Sequence, residues 1–106
     1  MERGAFKVTL AVSARTDLRE LADYWEDAGE PDRARKYVAD LIAAAHSLED
    51  PEIAQRGRPP ADCTIPDIRQ IRVFKRVFRI IYRLDGANRR VEIIRFWHSH
   101  RDEPEL

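Results

Sequence analysis

Cysteine, glycine and methionine are all scarce in this chain of 106 residues: one Cys, four Gly and one Met. A single thiol, Cys63, excludes an internal disulfide framework and with it the stapled scaffolds of small secreted proteins. Glycine this sparse leaves no glycine-rich loop to cradle a phosphate, and neither Gly-x-Ser-x-Gly nor zinc-finger spacing occurs. Long apolar runs are missing too. No stretch approaches the ~20 apolar residues of a membrane span. The N-terminal MERGAFKVTLAVSARTDL has neither the sustained apolar core nor the small-residue cleavage site of a signal peptide. The expectation is a cytoplasmic protein without a membrane partner. Hydrophobic residues, at 43%, are nevertheless too many for a disordered chain. The length suits one domain, 1–106, with a modest core and an acidic tail at 102–106.

Net charge is also absent, but its zero sum conceals an asymmetry. Residues 1–54 carry 7 Lys/Arg and 12 Asp/Glu, residues 55–101 carry 12 and 4, and the last five residues add three acids. The second half is therefore a basic module, which favours an anionic or acidic partner over two ordinary solvated faces pairing across the fold.

Hydrophobic periodicity then divides the chain. Phe6–Val12 alternates as a strand with one buried face. Ser13 is placed to cap a helix in which Leu18, Leu21, Ala22 and Trp25 recur at helical spacing until Gly29. Pro31 suits the first turn of a second helix, where its missing N–H has no partner to lose. Along that helix Ala34, Tyr37, Val38, Leu41, Ile42, Ala45 and Leu48 repeat at three and four. Residues 51–67, with Pro51, Pro59, Pro60 and Pro66, read as a long loop. Ile68–Phe74, Val77–Leu84 and Arg90–Trp97 are strands rich in Ile, Val, Phe and Tyr. The fold class is α+β: an N-terminal strand, a helical hairpin, then a three-stranded antiparallel sheet.

With Lys75-Arg76 as a two-residue turn, Phe74 faces Val77, Val73 faces Phe78, Arg72 faces Arg79 and Ile71 faces Ile80. Ile71, Val73, Phe78, Ile80 and Tyr82 then share the face that the helices bury. Arg72, Arg79 and Arg83 share the other. Like charges directly opposite each other in a sheet repel. The arrangement calls for an acid, a screened surface or an anionic ligand, and the planar guanidinium fork suits phosphate. His98 and His100 alternate near the C-terminus. A His-x-His pair can ligate metal, but no third ligand stands at a motif spacing, so no metal and no cofactor is expected. As acid–base groups near arginines, these histidines could act on a phosphodiester. The alternative is two surface histidines at a strand end.

Taken in order, these pieces resemble type II toxins of the RelE/ParE superfamily over nearly the whole length. The resemblance rests on Ala14-Arg15-Thr16-Asp17-Leu18 and Leu21-Ala22-Asp23-Tyr24-Trp25, on Pro31-Asp32-Arg33-Ala34, and on Gly57-Arg58-Pro59. It continues through Ile68-Arg69-Gln70-Ile71-Arg72-Val73, Phe78-Arg79-Ile80-Ile81-Tyr82-Arg83, Val91-Glu92-Ile93-Ile94-Arg95 and His98-Ser99-His100-Arg101-Asp102. It implies a plasmid-stabilisation-type toxin bound by a cognate antitoxin as a hetero-oligomer, with DNA gyrase or the ribosome and its mRNA as target. RelE-like members cleave mRNA on the ribosome, and there Arg79, His98, His100 and Arg101 would be the catalytic set. Arg72, Arg79, Arg83 and Arg95 would bind the anion or target in either case. Gln70 stands where a basic residue is usual and no terminal tyrosine follows the last strand, which favours ParE-like, non-nucleolytic gyrase inhibition. A non-toxic remnant that only binds antitoxin or operator is the third alternative.

Overall fold

The computed structural model describes residues 4–98. Its elements run β1 (Lys7–Leu10), α1 (Val12–Asp27), α2 (Pro31–His46), a 3-10 turn (Ser47–Glu49), α3 (Pro51–Arg56), β2 (Ile68–Val73), β3 (Phe78–Asp85) and β4 (Arg90–His98). The α+β order read from the sequence is what forms. The N-terminal strand does more than precede the sheet: it joins it, parallel to β4, so that four strands lie in the order β1-β4-β3-β2. No described helix is long and apolar enough to cross a membrane.

The helical hairpin follows from its ends. Gly29 adopts φ +81, a left-handed conformation that costs a side-chain-bearing residue. Around it, Gly29 N–H bonds Glu26 O and Glu30 N–H bonds Trp25 O, which satisfies the last carbonyls of α1. Pro31 opens α2 at once. The inward stripe then packs on the sheet: Ala14 and Leu18 from α1, and Leu41 and Ala45 from α2, meet Phe78, Ile80, Tyr82, Val91, Ile93 and Phe96. Each large aliphatic buried there contributes about 1.5–3 kcal/mol.

Two expectations need correction. Ser13 does not cap α1. The helix begins two residues earlier, at Val12 with Ala11 in the capping position, and the Ser13 hydroxyl donates to Ile94 O at 2.6 Å. The proline-rich stretch is not all loop either. Asp50 accepts from Glu52 N–H at 2.9 Å, Pro51 takes the first helical position, and α3 forms. Arg69 closes its other end by donating to Gln55 O and Gly57 O at 2.8 and 3.0 Å, and the Tyr82 hydroxyl donates to Ala54 O at 2.5 Å.

Candidate functional site

The β2–β3 hairpin sets the geometry. Its register is the one the two-residue turn predicts: Val73 pairs Phe78, Arg72 pairs Arg79 and Ile71 pairs Ile80. The ladder stops at Val73 and Phe78, and Phe74 O accepts from Val77 N–H across the turn at 3.1 Å. Lys75 and Arg76 take φ +55 and +70, and Phe74 takes +53. Three successive left-handed residues, none of them glycine, store roughly 1–2 kcal/mol each.

On the sheet face opposite the helices, Arg72 is exposed and Arg79 is only 3% exposed. Arg79 Nη1 lies 3.4 Å from Gln70 Oε1. Gln70 thus stands beside the arginine pair as a neutral acceptor. Arg58 adds a cation that the sequence reading did not assign. It exchanges both backbone hydrogen bonds with Gln70, at 2.7 and 3.1 Å, which places its exposed side chain on the same face. Arg83 is exposed but faces Glu92 across β4, so its charge is offset locally. Trp97 pairs Arg79 from β4, and the Arg95 guanidinium lies over the Trp97 ring at 4.8 Å.

A β-bulge decides where the end of β4 points. Tyr82 pairs Ile93 and Ile81 pairs Arg95, leaving Ile94 as the extra residue. Strict alternation from Val91 and Ile93 would turn Arg95 and Trp97 into the core. The bulge sends Phe96 and His98 to the helix side instead. There His98 meets Phe78 edge-on, with ring centroids 5.0 Å apart. Arg95 is held by Asp17 of α1, and hydrogen bonding to that carboxylate raises its pKa further above the ordinary arginine value. Arg95 is therefore engaged within the fold. His98 lies on the opposite face of the sheet from Arg72 and Arg79, which the sequence reading had grouped with it. His100 and Arg101 lie outside the described residues.

On the helix side a cleft of about 560 Å³ opens between α1 and the hairpin, lined by Tyr24, Trp25, Tyr37, Phe78 and His98, with Glu20 at its rim. Trp25 is fixed by stacking on Tyr37 at 5.6 Å and by Arg33 over its ring at 4.9 Å. Tyr24, Phe74 and Val77 remain 65%, 39% and 37% exposed around it. Exposed aromatics beside a concave surface mark a protein-binding site more often than chance exposure does.

The sequence profile of the ParE toxin of the type II toxin–antitoxin system parDE matches residues 8–103. Among solved structures, the chromosomal ParDE toxin–antitoxin system from P. aeruginosa is similar at TM-score 0.70 and 20% identity, over 89% of this chain and 96% of that one. The toxin–antitoxin complex RelBE2 from Mycobacterium tuberculosis is similar at TM-score 0.64 and 21% identity, over 89% and 98%. The intact E. coli RelBE complex follows at 0.50 and 18%, over 92% and 100%. No curated protein matches the chain.

Proposed function

We propose, from the premise that the chain belongs to the ParE toxin family of type II toxin–antitoxin systems, that it arrests growth by inhibiting DNA gyrase without cutting nucleic acid. The observation that supports this reading is the separation of His98 from the arginines. Phe78 pairs His98 while Arg79 pairs Trp97, so the imidazole and the guanidinium pair occupy opposite faces. A general acid or base must come within hydrogen-bond reach of the proton it transfers. A phosphodiester held by Arg72 and Arg79 lies beyond the reach of His98. Arg95, expected to bind an anion or the target, is instead bound to Asp17. Arg72 and Arg83, both exposed, then serve as contact surface, Arg79 is buried beside them, and none of the three acts as a catalytic group.

Toxin–antitoxin complexes are among the solved structures this chain resembles, and a cognate antitoxin is the partner that silences this chain. Its docking site in this reading is the aromatic cleft between α1 and the hairpin, where apolar anchors gain most from burial. The deciding experiment pairs two assays on purified protein: supercoiling by gyrase, and cleavage of mRNA on translating ribosomes. Lost supercoiling with intact mRNA is expected. In-frame mRNA cuts that Arg79→Ala abolishes would overturn the reading in favour of a ribosome-dependent endoribonuclease. Unchanged growth with intact antitoxin binding would instead identify a non-toxic remnant.

A further inference from the structure

The β2–β3 hairpin has an unusual charge pattern. From Ile68 to Leu84 there are six cations, Arg69, Arg72, Lys75, Arg76, Arg79 and Arg83, and no acid. The structure sorts them. Arg69 serves α3, Arg79 is buried, and Arg83 faces Glu92. Arg72, Lys75 and Arg76 are exposed at and beside the tip, and Arg58, brought in beside Gln70, extends the same line. From Gln70 to Val73 the edge strand advances ~3.3 Å per residue, about 10 Å, and the turn carries the row of four cations past its end.

We propose that this row is a contact for the phosphates of duplex DNA, so that the toxin touches the nucleic acid as well as the protein of its target. Cations set in a row along an edge strand, its turn and the bridge beside it match a rigid, regularly charged polyanion such as the duplex. Single-stranded nucleic acid is bound differently, by aromatic platforms on which bases stack. The aromatic on this sheet face among the described residues is Trp97, and the Arg95 guanidinium lies over its ring. The strained turn adds support. Left-handed Lys75 and Arg76 where Asn-Gly would be less strained point to a requirement for positive charge there.

This inference rests on the gyrase reading only for the identity of the duplex, and binding is therefore measured without gyrase. The full chain is titrated against a labelled mixed-sequence duplex by fluorescence anisotropy between about 50 and 200 mM salt. The expected plot of log affinity against log salt has a slope of about −3 to −4 for four phosphate contacts. Arg72→Gln and Lys75→Gln should each reduce the magnitude of that slope by about 1. Arg35→Gln, on the exposed side of α2, should not. Circular dichroism confirms that each variant is folded. A slope near zero, slopes unchanged by both variants, or tighter binding to a single-stranded RNA of equal length would each overturn the proposal. Gyrase inhibition that persists when DNA binding is absent would overturn it while leaving the gyrase reading intact.

Discussion

Asp17 of α1 and Arg95 of β4 form a two-pronged ion pair, Nε to Oδ2 at 2.8 Å and Nη2 to Oδ1 at 2.9 Å. The same Oδ2 accepts the backbone N–H of Phe96 at 3.0 Å. The pair solves a problem of sheet architecture. β1 ends at Leu10, opposite Ile93, so β4 has an unpaired edge beyond that point. The start of α1 covers it, Ser13 binding Ile94 O and Asp17 binding Phe96 N–H. The Asp17 side chain is 6% exposed and that of Arg95 25%. Asp17→Ala should therefore destabilise the fold by about 3 kcal/mol, because it strands a partly buried guanidinium and a backbone donor together. Urea unfolding measures this. Arg95→Ala in the Asp17→Ala background should cost much less than it does alone, since the partner is already gone.

The Tyr82 phenol gives the fold a dependence on alkaline pH. Burial pushes its pKa up from 10 to about 12, partly offset by Arg69 and by a backbone hydrogen bond at Gly57. Its folded-state pKa thus lies above its unfolded one. The neutral phenol's contribution is fully present below pH 10 and is lost as pH rises through about 12. Stability measured across that window should fall more steeply for the native chain than for Tyr82→Phe. The variant should also be about 1–2 kcal/mol less stable at neutral pH, because Ala54 O loses its donor.

Gly57 is required by proximity and not by backbone conformation, since its φ is −60. A Cβ there would collide with the Tyr82 hydroxyl and come within 2.9 Å of the ring carbon bearing it. Gly57→Ala should cost about 1–3 kcal/mol through this overpacking. Combining it with Tyr82→Phe should recover part of the loss, a non-additivity that thermal unfolding of the four proteins would detect.

Some of this was legible in the sequence and some was not. The hairpin register followed from Lys75-Arg76 alone, because the period of a strand is two and the turn fixes its phase. The helical hairpin followed from Gly29-Glu30-Pro31. The start of α3 was also written, as Asp50-Pro51, but the prolines beyond it dominated the reading. The destination of His98 was hidden, because a single bulged residue reverses the faces of everything after it. A trace remained in Arg95-Phe96, where strict alternation would have buried the charge and exposed the ring. Asp17, one position from Leu18 on the inward side of α1, was a carboxylate asking for a partner 78 residues away. Arg58 could not be assigned, because a single bridge to Gln70 carries no periodicity.

His98→Ala tests the separation of the two faces directly. Under the gyrase reading the substitution should leave inhibition of supercoiling within about twofold, a change worth less than 0.5 kcal/mol. A loss of 10²-fold or more in cleavage of mRNA on ribosomes, the usual contribution of a general acid or base, would make His98 a catalytic group. The same variant should weaken antitoxin binding instead, since His98 lines the aromatic cleft. Tyr24→Ala, at the exposed rim of that cleft, should weaken it further, by about 1–3 kcal/mol, because exposed aromatics are frequent anchors of interfaces. Calorimetric titration with the cognate antitoxin reads both values.

The turn at Lys75-Arg76 sets stability against function. Both residues sit at positive φ, which Asn-Gly adopts at lower cost, while Phe74 keeps its own positive φ. Replacing the pair by Asn-Gly should raise stability by about 1–2 kcal/mol, visible as a higher urea midpoint with an unchanged m-value. If the turn were only a connector, the replacement would be a pure gain and inhibition of gyrase would be unaffected. If the two cations meet phosphate, the stabilised protein should be the weaker toxin, with the salt dependence of its DNA binding reduced by about two units. Strain at functional positions is retained because the residues that relieve it cannot do the work. A variant that folds better and poisons less would place Lys75 and Arg76 in that class, and one that folds better and poisons equally would remove them from it.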